Sequence, residues 1–229
     1  MKKILKYFTV FEWLLWFGSM GIVVISYVAF GKSIDLSFIA SLVGATSLIF
    51  TAKANPIGPV LMVVFSIIYG YISYTFSYYG EMLTYLGMTL PMAVFSIVEW
   101  LKNPFKGKKS EVEVNNIGRT EMLLMLSGSV AVTVVFYFVL KYFNTANLLI
   151  STFSVTTSFV AAYFTLRRSP YYALAYALND IVLIIMWILA TFKDTYYLSV
   201  VICFLMFLVN DSYGFINWRK IEKWQTKSL

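Results

Sequence analysis

Eight stretches of this chain are each long and apolar enough to cross a lipid bilayer, and no other feature constrains the fold as tightly. A helix needs about 20 mainly apolar residues to span the hydrocarbon core. Segments at approximately 9–31, 36–52, 56–78, 81–101, 120–141, 147–166, 170–192 and 196–218 meet that length. The bilayer interior offers no water to backbone N–H and C=O groups, so each segment must satisfy them internally, and the fold class is expected to be an all-α polytopic membrane protein. Composition agrees: 13% of the residues are charged, against about 25% in soluble domains.

Charge distribution gives the expected orientation. Fifteen of the 18 Lys and Arg residues fall on the N-terminal side of the bilayer when eight crossings are counted, including Lys2, Lys3, Lys6, Lys53, Arg167 and Arg168; Lys32, Lys141 and Lys193 fall opposite. Positive residues concentrate in cytoplasmic loops, so a multi-pass protein of the cell membrane with both termini cytoplasmic is expected. The same clustering accounts for the net charge of +7 and removes the need for a nucleic-acid partner. The N-terminus opens like a secretory signal, but its apolar run exceeds the 7–15 residues typical of a signal core, which predicts a retained helix.

The chain has no histidine and one cysteine, Cys203, inside an apolar run. His-based acid–base catalysis, His/Cys metal sites and an intrachain disulfide are therefore excluded, and neither a cofactor nor a metal is expected.

An internal repeat is visible. The stretch 49–56, ending Thr51-Ala52-Lys53-Ala54-Asn55-Pro56, matches 163–170, ending Thr165-Leu166-Arg167-Arg168-Ser169-Pro170. Farther on, 95–102 with Trp100 matches 213–220 with Trp218. Helices two to four thus repeat as six to eight, and a single linker helix between three-helix units puts both in the same orientation. The expected organisation is an accessory helix (1–35), a first repeat (36–101), a loop and linker helix (102–146), a second repeat (147–220) and a tail (221–229). Asn55-Pro56 and Ser169-Pro170 suit helix starts, Trp100 and Trp218 suit an interfacial aromatic belt, and Pro91 suits a kink.

Two Asn-Asp pairs interrupt the last two apolar segments. A carboxylate at the centre of a membrane helix costs roughly 2.5–3.5 kcal/mol on insertion scales, so such groups face a bundle interior or a wet cavity. Tyr172, Tyr176, Asn179, Asp180 and Trp187 recur at helical spacing on the seventh helix; Asn210, Asp211 and Tyr213 do so on the eighth. Asn and Asp supply directed donors and acceptors, while aromatic faces supply stacking, a combination suited to a flat heteroaromatic ring bearing hydroxyls. Interhelical hydrogen bonding is the structural alternative, and proton relay or ion coupling a further one. Phe65-Ser66 and Met92-Ala93 occupy the equivalent places in the first repeat, which predicts apolar or aromatic walls from helices three and four. An integral membrane enzyme is a remote reading, with Asp180 and Asp211 as its only acid–base candidates.

The repeated Phe-Thr-x-[Lys/Arg]-x-[Asn/Ser]-Pro element and the closing Tyr213-Gly214-Phe215-Ile216-Asn217-Trp218 resemble the PnuC (Pnu) vitamin transporters, whose 3+1+3 fold is similar to that of the SWEET sugar transporters. The resemblance implies facilitated diffusion of a nucleoside or B-vitamin, trapped through a cytoplasmic kinase, and admits a homo-oligomer. Members specific for nicotinamide riboside carry Trp-x-x-Trp-x-x-x-Asn in the penultimate helix. Here the Asn is Asn179, but the two Trp positions hold Tyr172 and Ala175. That departure, with acids able to accept from a ring amine, points to a deoxyribonucleoside, with nicotinamide riboside or thiamine as the alternative.

Overall fold

The computed structural model describes residues 7–30, 36–75 and 79–228. Eight helices follow in order: α1 (Val10–Phe30), α2 (Leu36–Ala52), α3 (Ile57–Thr75), α4 (Tyr79–Lys102), α5 (Arg119–Tyr142), α6 (Leu148–Leu166), α7 (Tyr172–Thr191) and α8 (Leu198–Ser228). Seven of the described helices are long and apolar enough to cross a membrane by themselves; α2, at 17 residues, is the shorter eighth. Lys2, Lys3, Lys6 and Lys32, counted in the charge asymmetry, lie outside the described residues.

Two boundaries differ from expectation. α8 runs for 31 residues, ten beyond the predicted end at 218, because hydropathy registers only the part of a helix that meets lipid. The 102–118 connection contains a small antiparallel hairpin, β1 (Pro104–Phe105) and β2 (Lys108–Val112). Lys106 and Gly107 turn it with φ of 45° and 76°, the left-handed backbone that two-residue hairpin turns require. The end of β2 and the segment after it strap the bundle end: the Val112 N–H donates to the Ala54 carbonyl at 2.9 Å and the Asn115 N–H to the Arg168 carbonyl at 3.0 Å. Gln225 on the α8 extension closes the strap, accepting from the Val114 N–H and donating to the Val112 carbonyl.

Ala54 and Arg168 are matching positions of the two repeats, and both adopt left-handed backbone, φ 54° and 57°. Each ends its helix with the same cap, the Asn55 N–H on the Phe50 carbonyl and the Ser169 N–H on the Phe164 carbonyl. Asn55 then caps the next helix through Oδ1 to the Ile57 N–H at 2.9 Å, so the Asn-Pro step is a helix start as expected.

In α4 the residues Tyr85–Thr89 form a π-helical turn. Pro91 supplies the cause, since its ring removes an N–H and crowds the preceding turn; the kink expected from this proline is that widened turn. The Leu90 N–H reaches back to the Tyr85 carbonyl, and the Thr89 hydroxyl covers the Thr84 carbonyl.

α1 packs on α2 and α8. Glu12, 1% exposed, anchors it: its carboxylate accepts from the Tyr213 hydroxyl at 2.7 Å, pairs with Lys53 at 3.1 Å, and forms a reciprocal cap with Thr9. A parallel arrangement recurs on α5, where Glu121 takes both Arg167, the counterpart of Lys53, and the Tyr163 hydroxyl. That hydrogen bond holds the Arg167 guanidinium above its ordinary range.

Candidate substrate-binding cavity

The centre of the bundle holds a cavity of about 100 Å³ between α2, α3, α4, α6, α7 and α8. On the side away from the hairpin it adjoins a wider chamber of about 430 Å³, with Glu81, Thr145, Ser151, Met186 and Trp187 lining both. Toward the hairpin only a void of about 20 Å³ continues, bounded by Tyr172, Tyr176 and Thr165. Beyond it Trp100 and Trp218, both fully buried, fill the bundle. These tryptophans are not a lipid-facing belt as their position suggested. Trp100 donates to the Thr165 carbonyl and Trp218 to the Thr51 carbonyl, which draws both rings inward.

Five of the eight expected site residues line the central cavity: Tyr176, Asn179, Asp180, Trp187 and Asp211. Asn179 is oriented by α6, its Oδ1 accepting from the Thr157 hydroxyl at 2.7 Å and the Ser158 hydroxyl at 3.0 Å. Its amide N–H₂ is thereby left as the donor end. Asp180 and Asp211, each 3% exposed, both line this cavity, one from α7 and one from α8. The Asp180 Oδ2 is buried with no hydrogen-bond partner among the described residues.

The other three residues are placed elsewhere. Tyr172 lies at the hairpin-side floor, its ring 4.9 Å from that of Trp218, and reaches only the narrow void. Asn210 faces α1, donating to the Ser19 hydroxyl at 2.8 Å. Tyr213 faces α1 as well, through Glu12. Neighbouring helical residues point about 100° apart, and here that turns Asp211 to the cavity while Asn210 meets Ser19 on α1. Asn210 and Tyr213 dock the first helix and are not part of the cavity wall.

The first repeat contributes more polarity than expected. Phe65 and Gly44 do form an apolar wall, but α4 adds Glu81, Thr84, Tyr85 and Thr89. A carboxylate and three hydroxyls in the first half of a membrane segment read in sequence as a boundary, and the π-helical turn re-aims Tyr85 and Thr89 beyond what regular spacing predicts. The expected apolar contribution of helix four is therefore corrected to a polar one.

Three carboxyl side chains, Glu81, Asp180 and Asp211, thus line a space in which, among the described residues, no Lys or Arg takes part. An apolar bundle that is sealed at one end, widened at the other and polar at its middle is the layout of a membrane transporter. Comparison with known proteins agrees. The chain belongs to the nicotinamide mononucleotide transporter family, whose family model matches residues 34–220. It is 30% identical to the nicotinamide riboside transporter PnuC of Neisseria mucosa over 216 residues, covering 92% of this chain and 81% of the relative. The fold matches a crystal structure of the vitamin B3 transporter PnuC with a TM-score of 0.80 at 26% identity, over 94% of this chain and 93% of that one.

Proposed function

We propose that this PnuC-type transporter carries nicotinamide riboside by facilitated diffusion, with alternating access and with the hairpin end cytoplasmic. The observation that carries this reading is the charge of the cavity: three carboxyls and no basic side chain among its described lining residues. Nicotinamide joined to ribose is a pyridinium cation, and a cation offsets the cost of keeping carboxylates in an apolar bundle. A deoxyribonucleoside is neutral and leaves those groups unanswered, so the charge, together with the relative's substrate, reverses the preference drawn from the Trp positions. A phosphorylated nucleotide would bring like charge against the same carboxyls. Thiamine, whose thiazolium ring is also cationic, is the second reading. Phosphorylation by a cytoplasmic kinase would then trap the nucleoside inside.

Calorimetry on the purified protein tests the substrate: nicotinamide riboside is expected to bind, and nicotinamide mononucleotide and deoxyadenosine at least tenfold more weakly. Tighter binding of deoxyadenosine would reverse the assignment. In proteoliposomes at zero membrane potential, labelled nicotinamide riboside should equilibrate without accumulating; uphill uptake on an imposed proton or sodium gradient would exclude facilitated diffusion. An imposed potential should shift the end point, since moving one charge through 100 mV is worth about 2.3 kcal/mol.

A further inference from the structure

We infer that Glu81 and Trp187 form an entry subsite, at the narrowing between the chamber and the central cavity, that selects a positively charged aromatic ring. The inference rests on the proposed substrate and goes beyond it by assigning a separate step to separate residues. Both side chains line the two spaces at once, so a ligand passing inward meets them before Asn179 or the Asp180–Asp211 pair. Glu81 has no hydrogen-bond or ion-pair partner among the described residues, unlike Glu12, Glu99 and Glu121, each of which holds a basic side chain. A carboxylate kept unpaired on a membrane helix is costly, and its position at the narrowing gives it a role that pairing would cancel.

Trp187 is braced by Tyr197, ring centroids 5.3 Å apart at 37°, which fixes an aromatic face beside the passage. Indole is the strongest cation–π partner among side chains. Lys193 and Asp194, at the far end of α7, also line the chamber, so its outer part carries both signs and the net negative charge is concentrated at Glu81. The chamber is the larger of the two spaces, about 430 against 100 Å³. A nucleoside can therefore be received there while the central cavity is still narrow.

The test uses nicotinamide riboside and its dihydro form, which has nearly the same shape but an uncharged ring. Association is followed by stopped-flow quenching of tryptophan fluorescence on the full chain in detergent. The wild type should associate faster with the charged form. Glu81→Gln should slow that form about tenfold while leaving the dihydro form within about twofold, because a single carboxylate steers only the charged ring. Trp187→Leu should reduce the same preference more modestly. Asp211→Asn, deeper in, should act on dissociation instead. A Glu81→Gln protein that elutes and melts like the wild type yet keeps the full preference overturns the subsite alone. A wild type that binds neither form overturns the proposed substrate and the subsite with it.

Discussion

Trp100 and Trp218 stand 5.6 Å apart ring to ring and donate crosswise, each from the last helix of its own repeat to the first helix of the other, both at 2.8 Å. Their acceptors, Thr165 and Thr51, are themselves repeat partners. The pair is thus a two-fold latch between the repeats, placed where the passage ends.

Removing one half of the latch should loosen that end. Trp218→Phe keeps an aromatic side chain and deletes the indole donor, leaving the Thr51 carbonyl with its bond from the Ala54 N–H alone, a loss of about 0.5–1.5 kcal/mol for the hydrogen bond. In a Cys203→Ser background, a cysteine placed at Ser96, which borders the hairpin-side void, should react severalfold faster with a thiol reagent supplied from the hairpin side of vesicles. Unchanged labelling would mean that the latch does not gate.

Asn179 is held by Thr157 and Ser158 so that its N–H₂ remains free to donate. Asn179→Ala should weaken nicotinamide riboside binding by about tenfold or more, with the thermal midpoint little changed. Thr157→Val with Ser158→Ala should weaken it less, by releasing the amide's orientation. Binding isotherms on the three proteins decide the order, and equal affinity in all of them would remove Asn179 from the site.

Glu12 joins α1 to both repeats through Lys53 and Tyr213. Glu12→Ala strands the Tyr213 hydroxyl and the largely buried Lys53, a loss of roughly 1–3 kcal/mol. It should lower the detergent melting temperature while affinity stays within about twofold, because neither partner lines the cavity. A large affinity change at an unchanged melting temperature would contradict the docking role.

Gly44 lines the cavity where a Cβ would come within 2.7 Å of the Phe207 ring and 3.1 Å of Phe65. Gly44→Val must push these rings into the space between them. Uptake in proteoliposomes should fall at least tenfold with the protein still folded, and undiminished uptake would show that the substrate passes elsewhere.

The helices were legible in the sequence because apolar run length is a local property, and every predicted segment has its helix. Asn179, Asp180 and Asp211 were legible because carboxyls and amides inside such runs are costly. What spacing could not supply was the identity of the neighbour. It put Asn210 on the same stripe as Asp211, although Asn210 meets α1 and Asp211 meets the cavity. Glu81 sat where a segment was expected to begin, and the widened turn before Pro91 altered the facing of Tyr85 and Thr89. The two tryptophans suited a belt equally well until the carbonyls they reach were known.

The likeness between Glu12 with Lys53 and Glu121 with Arg167 bears on how such a chain could arise. α1 meets the opening helix of its own half and the closing helix of the other; α5 packs on α6 and touches α4, where Leu140 clusters with Met88 and Val155. A unit with an odd number of crossings needs a spacer before its copy can insert the same way round, whereas an even-numbered one can be joined head to tail as it stands. Counted with the helix that each acidic anchor serves, both halves are even, and tandem joining of one ancestral gene would produce this orientation with no spacer added.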